Sequence, residues 1–344
     1  MPKYKLFFPF LLISSWSFAQ DTFMALPKEA PVPKNNPMTK EKIELGKTLF
    51  FDPRISQSGN ISCNTCHNVM GAGDDARSVS IGHGGQRGKR SAPTVWNSAF
   101  LTVQFWDGRA PDLEDQAKGP ITNLVEMGMK DHKLAVERIS QIPGYVKMFK
   151  GAFPKDKNPI SIQNAVNAIA SYERTLITPD SRFDLYMKGN KKVLTAQEIR
   201  GMKTVETVGC TACHYGPNFA GPIPPVKEGH FQKFPQNPNP EIVKKYNLGE
   251  DLGRYEVTKK EDDKHVFRVP TWRNVALTAP YFHNGSVKTL EEAVRVMGKL
   301  QLDVDLTKNQ IEDIVAFLNT LTGPFPTQTM PRMPELRNRA LIED

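Results

Sequence analysis

Cys63-Asn64-Thr65-Cys66-His67 and Cys210-Thr211-Ala212-Cys213-His214 are the two stretches that decide what kind of fold this chain can adopt. Each has the form C-x-x-C-H, to which haem is attached in c-type cytochromes. Two thiols about one helical turn apart can bond two vinyl groups at one porphyrin edge, and the histidine then ligates the iron. Dithiol redox centres and zinc sites also contain C-x-x-C, but neither needs the adjacent histidine. With only four cysteines and seven histidines in the chain, the sequence predicts two covalently bound haem c groups.

The N-terminal residues have the features of a signal peptide. Lys3 and Lys5 precede an apolar run over residues 6–16, and Ser17-Phe18-Ala19 is a small-x-small cleavage site. The apolar run is shorter than the roughly 20 residues that a membrane-spanning helix needs. We therefore expect residues 1–19 to be removed and the mature protein to be exported, with no membrane span.

The composition is that of an ordinary globular protein, with 39% hydrophobic and 24% charged residues. The length of 344 residues allows two domains. The net charge is +8, but two of the lysines belong to the signal peptide and basic residues elsewhere alternate with acidic ones. This pattern does not favour a nucleic-acid partner. A docking site for another redox protein is consistent with it but is not located by charge alone.

Helix signals recur along the chain, whereas strand-like alternation does not. Ser161 can cap a helix, and capping boxes begin at Thr195, Thr289 and Thr307. The apolar face that follows Ser161 consists of Ile162, Val166, Ile169, Tyr172 and Leu176. Residues 68–111 and 215–270 are rich in glycine and proline and read as long loops. We predict a mostly α fold of two c-type cytochrome domains, each wrapping one covalent haem with long loops.

The two halves of the chain follow one plan. An amphipathic segment precedes each motif, over residues 40–51 and 197–208, and a long loop and a later helix follow it. The turn-rich residues 178–181 separate the halves. We therefore predict domains over residues 20–179 and 180–323, with residues 324–344 as a surface tail.

The second axial ligand of each iron decides between electron transfer and catalysis, because only an open or displaceable position can bind peroxide. Met297, on the helix after Thr289, is one candidate, but methionine packs equally well in a core. His83 lies in a glycine-rich segment that can move, but it can equally be an exposed loop histidine. The residues alone leave both alternatives open.

Three further side chains are candidates for peroxide chemistry. Glu126 lies in the apolar stretch 124–128, where a raised pKa would suit it to moving a proton between the peroxide oxygens; it can also be an ordinary helix-end acid. Gln116 is a candidate hydrogen-bond donor. Trp106 is either a redox relay or a packed indole.

Seven ordered segments carry a family resemblance. They are LGKTLFFDPR at 45–54, SCNTCHN at 62–68, SIGHG at 80–84, APTV at 92–95, PT at 270–271, RNVALTAPYFHNG at 273–285 and EAVRVMG at 292–298. Through them, residues 37–323 resemble the bacterial dihaem cytochrome c peroxidase family. The resemblance implies a periplasmic enzyme that reduces hydrogen peroxide to water with electrons from a small cytochrome c or a copper protein (a cupredoxin). It also implies a homodimer.

The resemblance assigns a ligand to each axial position. His67 matches the proximal ligand of the low-potential, peroxidatic haem, and His83 matches its displaceable distal ligand. His214 and Met297 match the ligands of the high-potential haem, where electrons enter.

The resemblance also assigns the residues around the ligands. Glu126 and Gln116 match the distal acid–base pair, and Trp106 matches the residue between the two haems. His283 lies on the loop that accompanies release of the distal ligand.

A calcium ion between the domains is a further implication of the resemblance. Thr278 and Pro280 match positions that supply backbone carbonyls to it. Ser91 stands where the family usually has an asparagine, so a water would have to help complete the about 6 to 8 oxygens that calcium takes. Trp272 stands where the family usually has an aliphatic residue, and the sequence assigns it no effect.

Two alternative functions stay open at this stage. The first is a dihaem electron carrier in which His83 is permanently bound. The second is a partner-modifying oxidase from a related branch, which uses a tyrosine as distal ligand of its second haem. Met297 argues against that branch.

Overall fold

The computed structural model describes residues 22–336 and 340–342, and these are mostly helical. The predicted signal peptide, residues 1–19, lies outside them. The α-helices are α1 (Lys40–Phe51), α2 (Cys63–Cys66), α3 (Leu113–Thr122), α4 (His132–Ser140), α5 (Pro143–Ala152), α6 (Ile162–Glu173), α7 (Arg182–Met187), α8 (Ala196–Thr207), α9 (Pro240–Lys245), α10 (Tyr255–Thr258), α11 (Leu290–Leu302) and α12 (Lys308–Asn319). None of the helices in the described ranges is long and apolar enough to cross a membrane.

The predicted loop 215–270 contains a small sheet that the sequence does not reveal. Strand β1 (Phe231–Lys233) pairs antiparallel with β2 (Val266–Arg268), and Gln232 lies opposite Phe267. Strands of three residues are too short to show an alternating pattern, so their pairing depends on tertiary contacts.

The helices begin where the capping signals predict. Ser161, Thr195 and Thr307 accept hydrogen bonds from the amides three residues further on, and the last two form complete capping boxes. At Thr289 only the bond to the threonine side chain forms, because the Glu292 carboxylate binds Arg295 instead. The local signal therefore places the start of α11 correctly even though one half of the box is missing.

The same helix crossing occurs in both halves of the chain. Helix α1 packs against α6, and α8 packs against α12. A Cβ atom on Gly46 would lie 1.8 Å from the carbonyl oxygen of Ala168, and one on Gly201 would lie 1.8 Å from that of Asp313. No side chain fits at such distances, so glycine is required at the closest approach in each half. This shared construction agrees with the repeated plan seen in the sequence.

The N-terminal segment crosses to the second half of the chain. The Phe23 ring lies 6.1 Å from both Phe183 and Phe317, at edge-on angles. The Leu26 amide donates a hydrogen bond of 2.8 Å to the Asp184 carboxylate. Residues 22–26 are therefore part of the core of the second half rather than a free lead into α1.

The C-terminal tail crosses in the opposite direction. The Phe325 ring stands edge-on to Trp96 at 4.9 Å, and Arg54 donates to the Pro334 carbonyl at 2.9 Å. Met330 is 71% exposed, as a surface tail predicts, but Phe325 and Met333 pack against the hydrophobic core of the first half. The sequence does not reveal these apolar contacts, because the proline-rich tail has neither a helical nor a strand period.

Candidate functional site

Both C-x-x-C-H motifs line one cavity of about 880 Å³. This volume lies at the upper end of the about 300–1,000 Å³ typical of small-molecule sites. The first motif occupies α2, which follows the serine cap at Ser62, and the second forms a short turn after α8. The loops 68–111 and 215–270 supply much of the remaining wall, together with α3 and α11. The long loops therefore enclose this cavity rather than packing around a hydrophobic core of their own.

The cysteine thiols are free and are held in their neutral form. Burial raises the pKa of all four, and it raises that of Cys210 to about 11. A dithiol redox centre instead lowers the pKa of its attacking thiol. The surroundings of these cysteines therefore argue against a dithiol redox centre.

His67 and His214 are oriented in the same way. The Nδ1–H of His67 donates to the Pro93 carbonyl at 3.0 Å, and that of His214 donates to the Phe219 carbonyl at 2.9 Å. This leaves Nε2 of each ring free as a metal ligand. Burial lowers the pKa of both rings, that of His214 to about 4, so each is neutral at pH 7. Two cysteines and a neutral, oriented histidine at each motif fit two haem c groups.

The two candidate distal ligands are placed differently. Met297 lies on α11 and lines the cavity. His83 lies beside the cavity, whose wall includes its neighbour Gly82 but not His83 itself. The His83 amide donates to the Glu126 carbonyl at 2.7 Å, and its ring is so close to Gly128 that a Cβ there would lie 2.6 Å from it. The buried Nδ1 of His83 has no hydrogen-bond partner among the described residues. Its role as a displaceable ligand stays a prediction.

Glu126 opens onto the cavity from a turn after α3, not from a helix end. Asn123 Nδ2 donates to Glu126 Oε1 at 2.8 Å. Burial raises the pKa of Glu126, while the charge of Arg109 and the Asn123 bond oppose the rise. Gln116, on α3, lines the same cavity. A carboxyl with a raised pKa and an amide therefore face one space.

Trp106, in the first long loop, is connected through Ser91 to the segment that carries His283. Its indole Nε1 donates to the Ser91 carbonyl at 2.9 Å, and the Ser91 amide donates to the His283 carbonyl at 2.7 Å. The rings of Trp106 and His283 are 6.4 Å apart and edge-on. His283 is 2% exposed, its Nε2 has no partner in the described part of the chain, and burial lowers its pKa to about 4. The indole is thus held rigidly on the cavity wall.

Ser91, Thr278 and Pro280 border the same cavity. The carbonyl of Ser91 already accepts a hydrogen bond from Trp106, and the Ser91 hydroxyl is a second oxygen that could bind a cation. The ranges that the structure describes contain no group of three or more His, Cys, Asp or Glu that could hold a metal ion. A calcium site here would therefore depend on carbonyl oxygens and water.

Glu173 is a cavity residue that reasoning from sequence missed. It is the last residue of α6, is 6% exposed, and its Oε2 has no partner within the described ranges. Burial raises its pKa to about 8, with neighbouring Glu114 adding to the rise and Arg174 opposing it. The signal was present, because Glu173 falls four residues after Ile169 on the predicted apolar face.

Replacing Glu173 by glutamine is expected to stabilise the holoprotein at alkaline pH. Burial raises the Glu173 pKa from its ordinary value of 4.5 to about 8. Between pH 4.5 and pH 8 the folded chain therefore keeps a proton on Glu173 that the unfolded chain has released. This carboxyl therefore lowers stability as the pH rises through that window. We expect Glu173→Gln to unfold like the parent at pH 5 and to be about 1–3 kcal/mol more stable at pH 8. Denaturant unfolding at both pH values measures this, with Glu137→Gln, at an exposed position of α4, as control. Parallel pH dependence in parent and variant would contradict it.

Comparison with known proteins finds cytochrome c peroxidases among the relatives of this chain. The sequence pattern described as di-haem cytochrome c peroxidase matches residues 40–192. A cytochrome c551 peroxidase of Pseudomonas aeruginosa is 46% identical over 320 residues, covering 92% of this chain and 88% of the relative. A cytochrome c551 peroxidase of Nitrosomonas europaea is 43% identical and covers 90% of this chain and 88% of the relative.

More distant relatives include a second named function. A methylamine utilization protein MauG of Methylorubrum extorquens is 34% identical, covering 90% of this chain and 86% of the relative. The crystal structure of a MauG-like protein associated with microbial copper homeostasis superposes with a TM-score of 0.76 at 32% identity, covering 87% of this chain and 95% of that one. The mostly helical fold is therefore shared by both groups.

The two cytochrome c551 peroxidases are more similar to this chain than the MauG protein is and match most of its length, and both haem-attachment motifs lie on one cavity with a carboxyl of raised pKa. The chain therefore belongs to the di-haem cytochrome c peroxidase family and is an enzyme of that family.

Proposed function

We propose that this enzyme reduces hydrogen peroxide to water in the periplasm, using electrons from a small cytochrome c or a cupredoxin. The observation that carries the proposal is that Glu126, with its raised pKa, faces the same cavity as both C-x-x-C-H motifs. A plain electron carrier has no need for an acid–base group beside its haem.

The chain's residues supply attachment and ligands. Thioether bonds at Cys63, Cys66, Cys210 and Cys213 would hold the haems, with His67 and His214 as the histidine ligands of the irons. When bound, the two haems supply the redox chemistry, accepting electrons from the donor and delivering them to peroxide. Met297 is assigned as the distal ligand of the second haem, where a thioether raises the reduction potential.

Glu126 is assigned the proton movement. Breaking the O–O bond heterolytically needs a proton to pass from the near oxygen to the far one. The carboxylate takes the first proton and returns it, while Asn123 holds Oε1 at 2.8 Å so that Oε2 is left for peroxide. Gln116 donates a hydrogen bond from the same wall. A raised pKa lowers the cost of holding the proton between the two transfers.

His83 is assigned as the ligand that leaves before peroxide binds. Gly84 and Gly85 follow it, both with positive φ, and they lack the side chains that would restrict a rearrangement. A loop movement that also broke the 2.7 Å hydrogen bond from the His83 amide to the Glu126 carbonyl would couple ligand release to the position of the acid–base group.

The remaining groups join the two halves. Trp106 is assigned as the electron path because it lies on the wall of the cavity that both motifs line, where its indole is held by Ser91 and His283. Calcium, bound through Thr278, Pro280 and the hydroxyl of Ser91 with water, is proposed to steady this region, and His283 to move with it. Homodimer formation is part of the same proposal.

The MauG relatives keep a partner-modifying oxidase as the second candidate. Their 34% identity covers nearly the same length as that of the peroxidases. Met297, in place of a tyrosine, favours the peroxidase, because a thioether-ligated haem is suited to taking electrons from an external donor.

Peroxide-dependent oxidation of reduced cytochrome c tests the proposal directly. The purified holoprotein is assayed with only its high-potential haem pre-reduced and with calcium present. We expect rapid turnover that stops when peroxide is exhausted. No turnover, with the first haem still six-coordinate by its spectrum, would refute the proposal and favour an electron carrier.

A further inference from the structure

Trp272 lies flat against the histidine of the second motif. The rings of Trp272 and His214 have centroids 4.3 Å apart and planes inclined by 19°. Trp272 also stacks against Phe219, at 5.5 Å and 23°. The indole thus contacts both of the other rings, and the three together form an aromatic column.

Phe219 also contacts His214 directly, through a hydrogen bond. Its carbonyl accepts the hydrogen bond from His214 Nδ1 at 2.9 Å. Trp272 therefore contacts both the imidazole and the residue whose carbonyl accepts the imidazole's hydrogen bond. The stack opposes rotation of the imidazole about its side-chain bond, and the indole covers the hydrogen bond on one side.

The column is anchored in rigid packing. Phe219 is fully buried and lies 5.3 Å from Phe183, and the Arg273 guanidinium lies 5.2 Å from both rings. A ring fixed on this side can impose an orientation on the ring stacked against it. An exposed tryptophan could not do so, because it would turn with the histidine.

The first half of the chain has a matching backbone segment but no tryptophan at the corresponding position. Pro93-Thr94-Val95 corresponds to Pro270-Thr271-Trp272, and each is followed two residues later by an asparagine of positive φ, Asn97 at 63° and Asn274 at 59°. Val95 thus occupies the position of Trp272. Among the residues described, no aromatic ring stacks on His67, whose Nδ1 bonds to Pro93 instead.

We propose that Trp272 is a positioning residue for the second haem: it holds the His214 imidazole in one orientation and keeps water from its Nδ1 hydrogen bond. The consequence is a single ligand geometry and a reduction potential higher than an unstacked histidine would allow, because water near a haem stabilises the charged ferric form. The inference rests on the proposed function in that it takes His214 as a ligand of the electron-entry haem.

The test uses holoprotein carrying two haems, in the parent and in W272L, W272F and V95A. In W272L we expect the low-spin ferric EPR signal of the second haem to broaden or split, and its midpoint potential to fall in a spectroscopic titration. W272F keeps an aromatic ring and should keep the narrow signal. V95A changes the matching position in the first half and should leave the second haem as in the parent. W272M replaces W272L if the latter does not mature with both haems.

A narrow, unshifted signal and an unchanged potential in W272L and W272M would overturn the role of Trp272. That result is separate from failure of the proposed function, which is judged by peroxide turnover of the parent protein. Spectra of the parent that show no histidine on the second haem would overturn both.

Discussion

Replacing Glu126 by glutamine is expected to lower peroxide turnover by about 10²–10⁴-fold, the usual contribution of a positioned general acid–base group. Glutamine keeps the size of the side chain and can still bond Asn123, but it cannot take up the peroxide proton. Because both attachment motifs and both proximal histidines are untouched, the haem content and absorption spectrum should match those of the parent.

The pH dependence sharpens this test. Turnover that needs the Glu126 carboxylate should rise as the pH passes through its pKa, which burial places above the ordinary value of 4.5. The remaining activity of Glu126→Gln should lack that rise. Steady-state oxidation of reduced cytochrome c from pH 4 to 8 measures both effects, with Glu137→Gln, at an exposed position of α4, as the matched control. Turnover of Glu126→Gln within a factor of three of the control would remove Glu126 from the mechanism.

Replacing Arg273 by methionine is expected to destabilise the holoprotein by about 3–5 kcal/mol, the cost of leaving one member of a buried ion pair alone. Arg273 and Asp184 are both 0% exposed, with Nη1 and Oδ1 2.8 Å apart. The guanidinium also donates to the carbonyls of Pro217 at 2.8 Å and Met24 at 3.1 Å. The substitution therefore leaves the buried Asp184 carboxylate without its counter-charge and the two carbonyls without the guanidinium donor.

Denaturant unfolding followed by haem absorbance measures this change. Arg200→Met serves as the matched control, because Arg200 pairs with Asp313 at the surface, where an ion pair contributes little. Adding Asp184→Asn to Arg273→Met removes the unpaired charge and should restore part of the stability. Equal stabilities of Arg273→Met and Arg200→Met would show that the buried pair is not needed.

These two predictions differ in how far the sequence supports them. Glu126 was singled out from its apolar neighbours and from the family resemblance, and the structure adds its bond to Asn123 and its place on the cavity wall. Arg273 was visible only as one letter of a matching segment. Its partner Asp184 is 89 residues away, and no local pattern connects them.

The sequence by itself determined the features whose physical cause is local. Five consecutive residues specify a haem attachment because thiols and imidazole act over one helical turn, and the caps at Ser161, Thr195 and Thr307 act on amides three residues away. The mostly helical class and the repeated plan followed from these signals.

The tertiary structure alone decided what depends on distant contacts. Trp272 contacts His214, which lies 58 positions earlier in the sequence. Phe23 packs into the core of the second half and Phe325 into that of the first, so each segment crosses to the other half. Burial of Glu173, whose Oε2 has no hydrogen-bond partner in the described part of the chain, is likewise a property of the assembled cavity. Stacking, desolvation and pairing act through space over a few ångströms, so a one-dimensional pattern can nominate such residues but cannot bring them together.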